Sequence, residues 1–224
     1  MTGRTETEDV AGYAERVARH VPGLAALHRM TALLLAERVP EEGRVLVLGA
    51  GGGLETKAMA EMRPGWRFDG VDPSSAMIGQ AKAVLGADAR RVTFHEDTID
   101  VAPPGPVDGA TALLVLHFLE RAERLATLRA LADRLAPGAP LVVVHHSFPR
   151  TGGAPDRWLE RNAALLAASG VAGDRARSSI AAMRDRLPVL DPAEDEALLA
   201  EAGFAGIELF YAAFTFKGWV GYRA

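Results

Sequence analysis

Two hydrophobic periods alternate along this chain. Val45, Leu46, Val47 and Leu48 form a continuous apolar run that climbs into the glycine cluster Gly49-Ala50-Gly51-Gly52-Gly53. Beyond it Leu54, Ala58, Met59 and Met62 fall on one helical face. The switch recurs downstream and predicts strands at 44–48, 66–71, 91–95, 107–115 and 141–145. Helices follow the glycine cluster and are predicted over 76–85 and 121–135. Strand 141–145 is apolar without alternation, as a strand covered on both faces should be. Strands alternating with helices predict a doubly wound, mostly parallel α/β sheet of Rossmann-like type. Its ligands belong beyond the carboxyl ends of the strands.

The flanks read differently. Two helices, 10–20 and 24–39, precede the first strand, and residues up to Asp9 are expected to be disordered. Residues 156–168 and 174–186 are Arg-rich helical patterns, only partly apolar, and read as an insertion over the sheet. A helix at 193–202 ends at Gly203. Strands at 205–211 and 213–223 then leave almost no room between them, which forces an antiparallel hairpin. The expected organisation is a helical cap over 1–43 and one main domain over 44–224, with a helical insertion at 150–190 serving as a lid. The N-terminal helices either close over the ligand or pair with a second copy in a homodimer.

Composition narrows the classes. The 224 residues carry 25 Lys+Arg against 29 Asp+Glu, a formal net charge of −4, with no basic block. That argues against a nucleic-acid partner. The absence of cysteine excludes disulfides, thiolate metal sites and a cysteine nucleophile. The polar start carries no signal-peptide pattern, and no apolar run reaches membrane-spanning length. The expected setting is cytoplasmic, without a membrane partner.

The chemistry gathers at the strand ends. The glycine cluster lets backbone approach a ligand, and the N–H groups of the next helix face it. Leu54 breaks the G-x-G-x-x-G fingerprint, and no G-x-x-x-x-G-K-S/T loop exists, so a pyrophosphate ligand fits poorly. Asp72 ends strand two, ~20 residues beyond the turn, where a carboxylate accepts both hydroxyls of a ribose. The alternative is an acid favoured by the helix dipole. Asp97 ends strand three at the same edge, where it could accept from an adenine amino group while the Thr98 N–H donates to a ring nitrogen. Otherwise it is a solvated turn.

The segments Val45 to Gly53, Gly70-Val71-Asp72-Pro73-Ser74, Glu96-Asp97, Leu114 to Leu119, Leu135-Ala136-Pro137-Gly138 and Ala202-Gly203-Phe204 together resemble the successive motifs of class I S-adenosylmethionine-dependent methyltransferases. The resemblance implies a seven-stranded sheet with an antiparallel seventh strand, and S-adenosyl-L-methionine as cofactor. It implies that Gly49, Ala50 and Gly51 pack against the methionine and ribose, and that Asp72 holds the ribose hydroxyls. Pro73 and Met77 would flank the adenine, Asp97 and Thr98 bind its edge, and Leu114 and Val115 line the site near the sulfonium. Val47 departs from the pattern: many members carry an acid there. Val21-Pro22-Gly23 and the helix after it are similar to the N-terminal segment of carboxy-S-adenosylmethionine synthase and its relatives. By that likeness His28 or Arg29 would reach the methionine carboxylate.

Methyl transfer to a protonated oxygen or nitrogen needs alignment, desolvation and a base. His117, just past strand four, is the first candidate base, with a structurally satisfied histidine as the alternative. His146 is the second, and His145 is expected to face the sheet packing. The histidines lack a fixed metal-ligand spacing, so no metal is expected. Phe148 and Trp158 are expected to wall the substrate; Phe214, Phe216 and Trp219 read as core. The expected function is methyl transfer to a small-molecule acceptor. The alternatives are a carboxy-S-adenosylmethionine synthase-like reaction, gripped by an insertion arginine, a non-catalytic cofactor-binding protein, and a nicotinamide oxidoreductase.

Overall fold

The computed structural model describes residues 12–224. The expected disorder up to Asp9 and the start of the first helix lie outside them. Two helices, α1 (Tyr13–His20) and α2 (Leu24–Leu35), precede β1 (Arg44–Leu48). The chain continues through α3 (Leu54–Met62), β2 (Arg67–Val71), α4 (Ser75–Leu85), β3 (Val92–His95), β4 (Gly109–Leu113), α5 (Arg121–Arg134) and β5 (Pro140–His146). It ends with α6 (Ala154–Ala168), α7 (Gly173–Arg186), α8 (Pro192–Glu201), β6 (Phe204–Ala213) and β7 (Phe216–Arg223). The sheet has seven strands in the order β3-β2-β1-β4-β5-β7-β6. β1 to β5 are parallel, and β7 runs antiparallel to both β5 and β6.

Strand alternation sorts the core into two layers. Leu46, Leu48, Ala110, Ala112, Leu141, Val143 and Trp219 face Leu125, Leu128 and Leu131 of α5 and Leu198 and Leu199 of α8. Val45, Val47, Leu113, Val142, Val144 and Val220 face Leu24, Leu27 and Leu35 of α2 and Met59 of α3. The second helix is therefore built into the core. A smaller cluster of Phe148, Leu159, Met183 and Val189 gives α6 and α7 a core of their own. Among the described residues, no helix is long and apolar enough to cross a membrane.

Local chemistry sets the boundaries. The Ser74 side chain accepts from Met77 N at 3.3 Å and starts α4. Asp191 and Glu194 form a capping box ahead of α8. Two differences from the sequence reading bear on the site. Strand β4 stops at Leu113 because Leu114 turns left-handed (φ 63°), and the chain winds into a short 3₁₀ turn over Leu116–Phe118. The hairpin turn falls at Phe214 and Thr215 because β6, lengthened by register shifts at 205–208 and 209–211, runs on to Ala213.

Candidate active site

β1 and β4 are neighbours from which the chain departs to opposite sides of the sheet, so their carboxyl ends open a crevice between them. The glycine turn fills one wall. Gly49, Gly51 and Gly53 have φ of 73°, 45° and 80°, angles that favour glycine. A Cβ on Gly49 would lie 2.1 Å from Val115 Cγ2. The bare turn thus lets the chain after β4 pack directly on the loop after β1.

The crevice is lined by Gly49 to Leu54, Glu55, Leu113 and Leu114 of the sheet side, and by Tyr13, Val17, Leu24, Leu27 and His28 of α1 and α2. The predicted Gly49, Ala50, Gly51, Leu114 and His28 are thus brought together. Arg29 is exposed and lies outside the lining. His28 is buried, and burial pushes its pKa down to about 4. Asp72 sits at the edge of the turn: Oδ2 accepts from Gly51 N at 2.8 Å and Oδ1 from Ser74 N at 2.9 Å. Each oxygen retains lone-pair capacity for a further donor, which fits a ribose diol. Met77 Cε comes within 3.8 Å of the Cβ position of Gly51, while Pro73 is exposed beside it. Asp97 and Thr98 are exposed at the end of β3, and Asp97 Oδ1 accepts from Thr98 N at 2.7 Å. The N–H expected to meet an adenine nitrogen is therefore turned to its own neighbour.

Two polar lining residues escaped the sequence reading. Tyr13 packs its ring on the glycine turn, 2.6 Å from where a Gly52 Cβ would stand. The sequence shows only an apolar-face aromatic on a helix. Glu55, on the first turn of α3, is buried and accepts from Thr111 Oγ1 at 2.5 Å. In sequence it is an ordinary first-turn acid; only the strand beside it makes it a buried one.

The candidate bases meet just beyond Leu114. The His117 and His146 rings lie 4.8 Å apart, both buried. His117 Nδ1 accepts from His146 N at 3.3 Å, so its Nε2 carries the proton. His146 Nδ1 lies 2.9 Å from Thr215 Oγ1, whose hydroxyl donates to Asn162 Oδ1 at 3.2 Å. That hydroxyl must therefore accept from Nδ1–H, which leaves His146 Nε2 with the free lone pair. Burial, then the neighbouring histidines and Arg124, hold His117 well below the ordinary histidine value. Burial, then His145 and His20, push His146 down to about 3. His146 also stacks on Phe216 at 4.0 Å, so an aromatic read as core supports the site.

The two rings face a second cleft of ≈ 450 Å³, lined also by Phe118, Ser179, Ala182, Met183, Arg186 and Leu187. Its size is that of a small-molecule pocket. Phe148 and Trp158, expected at this wall, instead belong to the cluster that joins α6 to α7, with Lys217 5.2 Å above the Trp158 ring. His145 faces the opposite side of β5, 3.2 Å from Asp195 Oδ1 and 5.5 Å from the Trp219 ring. Asp195 also takes Arg124 Nη1 at 2.5 Å, a wholly buried pair that ties α5 to α8. Among the described residues, no group of three histidines and acids is placed to hold a metal ion.

Crevice, turn and strand order define a class I methyltransferase fold. Residues 46–141 match the family model described as a methyltransferase domain. An uncharacterised protein of Synechococcus sp. is 33% identical over 135 residues, 58% of this chain and 31% of that protein. Carboxy-S-adenosyl-L-methionine synthase of Citrifermentans bemidjiense is 22% identical over 96% of this chain and 90% of the synthase. A structure described as a candidate O-methyltransferase from Nostoc punctiforme superposes with a TM-score of 0.70 at 20% identity, covering 97% of this chain and 60% of that one. The chain thus spans under a third of the first relative and about three fifths of this structural neighbour.

Proposed function

We propose that the protein binds S-adenosylmethionine in the crevice between β1 and β4 and transfers its methyl group to a small acceptor held against His117 and His146. One observation carries this reading. The cofactor crevice and the histidine cleft share the β4 loop, with Leu114 in the first and His117 in the second. The cofactor supplies an activated methyl on a sulfonium. Asp72 receives the ribose hydroxyls, and Leu114 and Val115 pack where the sulfonium would lie. His117 Nε2–H orients the acceptor, and His146 Nε2 takes the acceptor's proton as its oxygen or nitrogen attacks the methyl in line. The neutral thioether leaves. Adenine binding by Asp97 and Thr98 requires their mutual hydrogen bond to open.

Calorimetric titration with S-adenosylhomocysteine, with NAD as control, tests the cofactor. Micromolar binding of the first alone supports the reading; binding of NAD alone replaces it with an oxidoreductase. Arg186 in the histidine cleft favours one second reading. Its guanidinium could hold a carboxylate added to the cofactor, as in a carboxy-S-adenosylmethionine synthase. Mass spectrometry of the recovered cofactor separates the two. We further take α1 and α2 as a cap over this site and the setting as cytoplasmic.

A further inference from the structure

An amino-acid ligand with a free α-ammonium brings three N–H donors and a positive charge, and a buried crevice must answer both. Val47 leaves the end of β1 without an acid. Its parallel neighbour on β4 is Thr111, whose hydroxyl donates to Glu55 Oε1 at 2.5 Å. Glu55 therefore brings a carboxyl group from α3 to the floor beside Val47. It lines the crevice with His28 and Tyr13. Its second oxygen makes no hydrogen bond among the described residues.

Resting on S-adenosylmethionine as the ligand, we propose that Glu55 is the acceptor for its α-ammonium group, held toward the crevice by Thr111. Asp72 is less well placed for this role, since it stands at the end of β2 and, unlike Glu55, is not part of the crevice lining.

The electrostatics support the assignment. Burial pushes the Glu55 carboxyl up to about 8 against the opposing Thr111 hydrogen bond, so it is neutral at pH 7 while the crevice is empty. The facing groups do not supply its counter-charge. Tyr13 on α1 is raised by burial and then by Glu55 and Asp72, with Arg16 opposing, and stays protonated. His28 on α2, lowered to about 4, stays uncharged. An arriving ammonium draws the carboxyl into its ionised form and expels its proton. The carboxyl is largely protonated at pH 7, so up to one proton should leave per ligand bound.

The test is calorimetry at pH 7 in buffers of different ionisation enthalpy, on the unaltered protein and on Glu55→Gln. The glutamine keeps an acceptor for Thr111. The probes are S-adenosylhomocysteine and 5′-methylthioadenosine, which lacks the amino-acid tail. The expected result is about one proton released with the first ligand and none with the second. Glu55→Gln should weaken S-adenosylhomocysteine at least tenfold, abolish the release and leave 5′-methylthioadenosine unchanged. Equal affinity and equal proton release in the variant would overturn the proposal. So would equal loss of both ligands, which would mark a collapsed turn. Binding of neither ligand by the unaltered protein would instead overturn the cofactor reading, and the proposal with it.

Discussion

Replacing Asp72 by alanine removes two things that the structure keeps together. The first is structural. Gly51 N and Ser74 N each lose a charged acceptor, at 2.8 and 2.9 Å. Gly51 is buried, so its donor is left without a partner, at a cost of about 1–3 kcal/mol in stability. The second is binding. Two hydroxyls donating to a carboxylate are each worth about 1.5–3 kcal/mol, or about 3–6 together. At 1.4 kcal/mol per decade, affinity for S-adenosylhomocysteine should fall by roughly a hundredfold to ten-thousandfold. Asp72→Asn retains one acceptor oxygen but turns an amide N–H₂ toward a backbone donor, so its loss should be intermediate. Urea unfolding reads the first quantity and calorimetric titration the second. An alanine variant that loses stability yet binds within threefold of the parent would refute the ribose role and leave Asp72 as a staple of the turn.

Arg124→Ala should lower stability by about 3–5 kcal/mol, because it strands Asp195 as a buried carboxylate and releases the Pro188 carbonyl bound at 3.0 Å; urea unfolding reads the loss. Gly49→Ala should cost at least about 2 kcal/mol through its positive φ and its overlap with Val115, and lower cofactor affinity as the two loops part. The folded pKa values of His28, His117 and His146 lie below the unfolded value of 6.5, so folding favours their neutral forms. Their contribution is complete above pH 6.5 and is lost as pH falls, by about 1.4 kcal/mol per histidine per unit until the folded pKa is reached. Urea midpoints should hold from pH 7.5 to about 6.5 and fall from there toward pH 5, and a flat profile would refute this.

The parts of the fold carried by period were legible in the chain. Each apolar run before a helical face became a strand of the parallel sheet, and the lack of space after Tyr211 announced the hairpin. The meeting of the glycine cluster and Asp72 at one edge of the sheet was legible because both follow strand ends. What escaped depends on distant partners. Glu55 is an unremarkable helix acid until Thr111, 56 residues on, buries it. Tyr13 joins the crevice only because α2 packs into the sheet and carries α1 over the turn. The roles of the two histidines were likewise open, since the hydrogen-bond partners that distinguish them, a backbone N–H and Thr215, are visible only in space.

That distinction constrains the acceptor. His146 offers the free nitrogen, yet burial and its neighbours hold it near 3, so the empty cleft contains a weak base. A cationic sulfonium nearby would weaken it further by like-charge repulsion. Proton transfer from an ordinary alcohol to such a group is steeply uphill, whereas an acidic hydroxyl, phenolic or enolic, gives up its proton with little help. Among the described residues no carboxylate lines the histidine cleft; Asp72 stands at the glycine turn and Glu55 in the other crevice. A cleft lined by Arg186 and by no carboxylate among the described residues suits an electron-rich, acidic oxygen, whose charge cancels that of the cationic methyl as the bond forms. Across a series of substituted phenols of similar size, kcat/KM at pH 7 should rise as acceptor acidity rises. His146→Ala should slow the least acidic members most, by about a hundredfold or more. Rates independent of acceptor acidity, or an even loss across the series, would refute His146 as the proton acceptor.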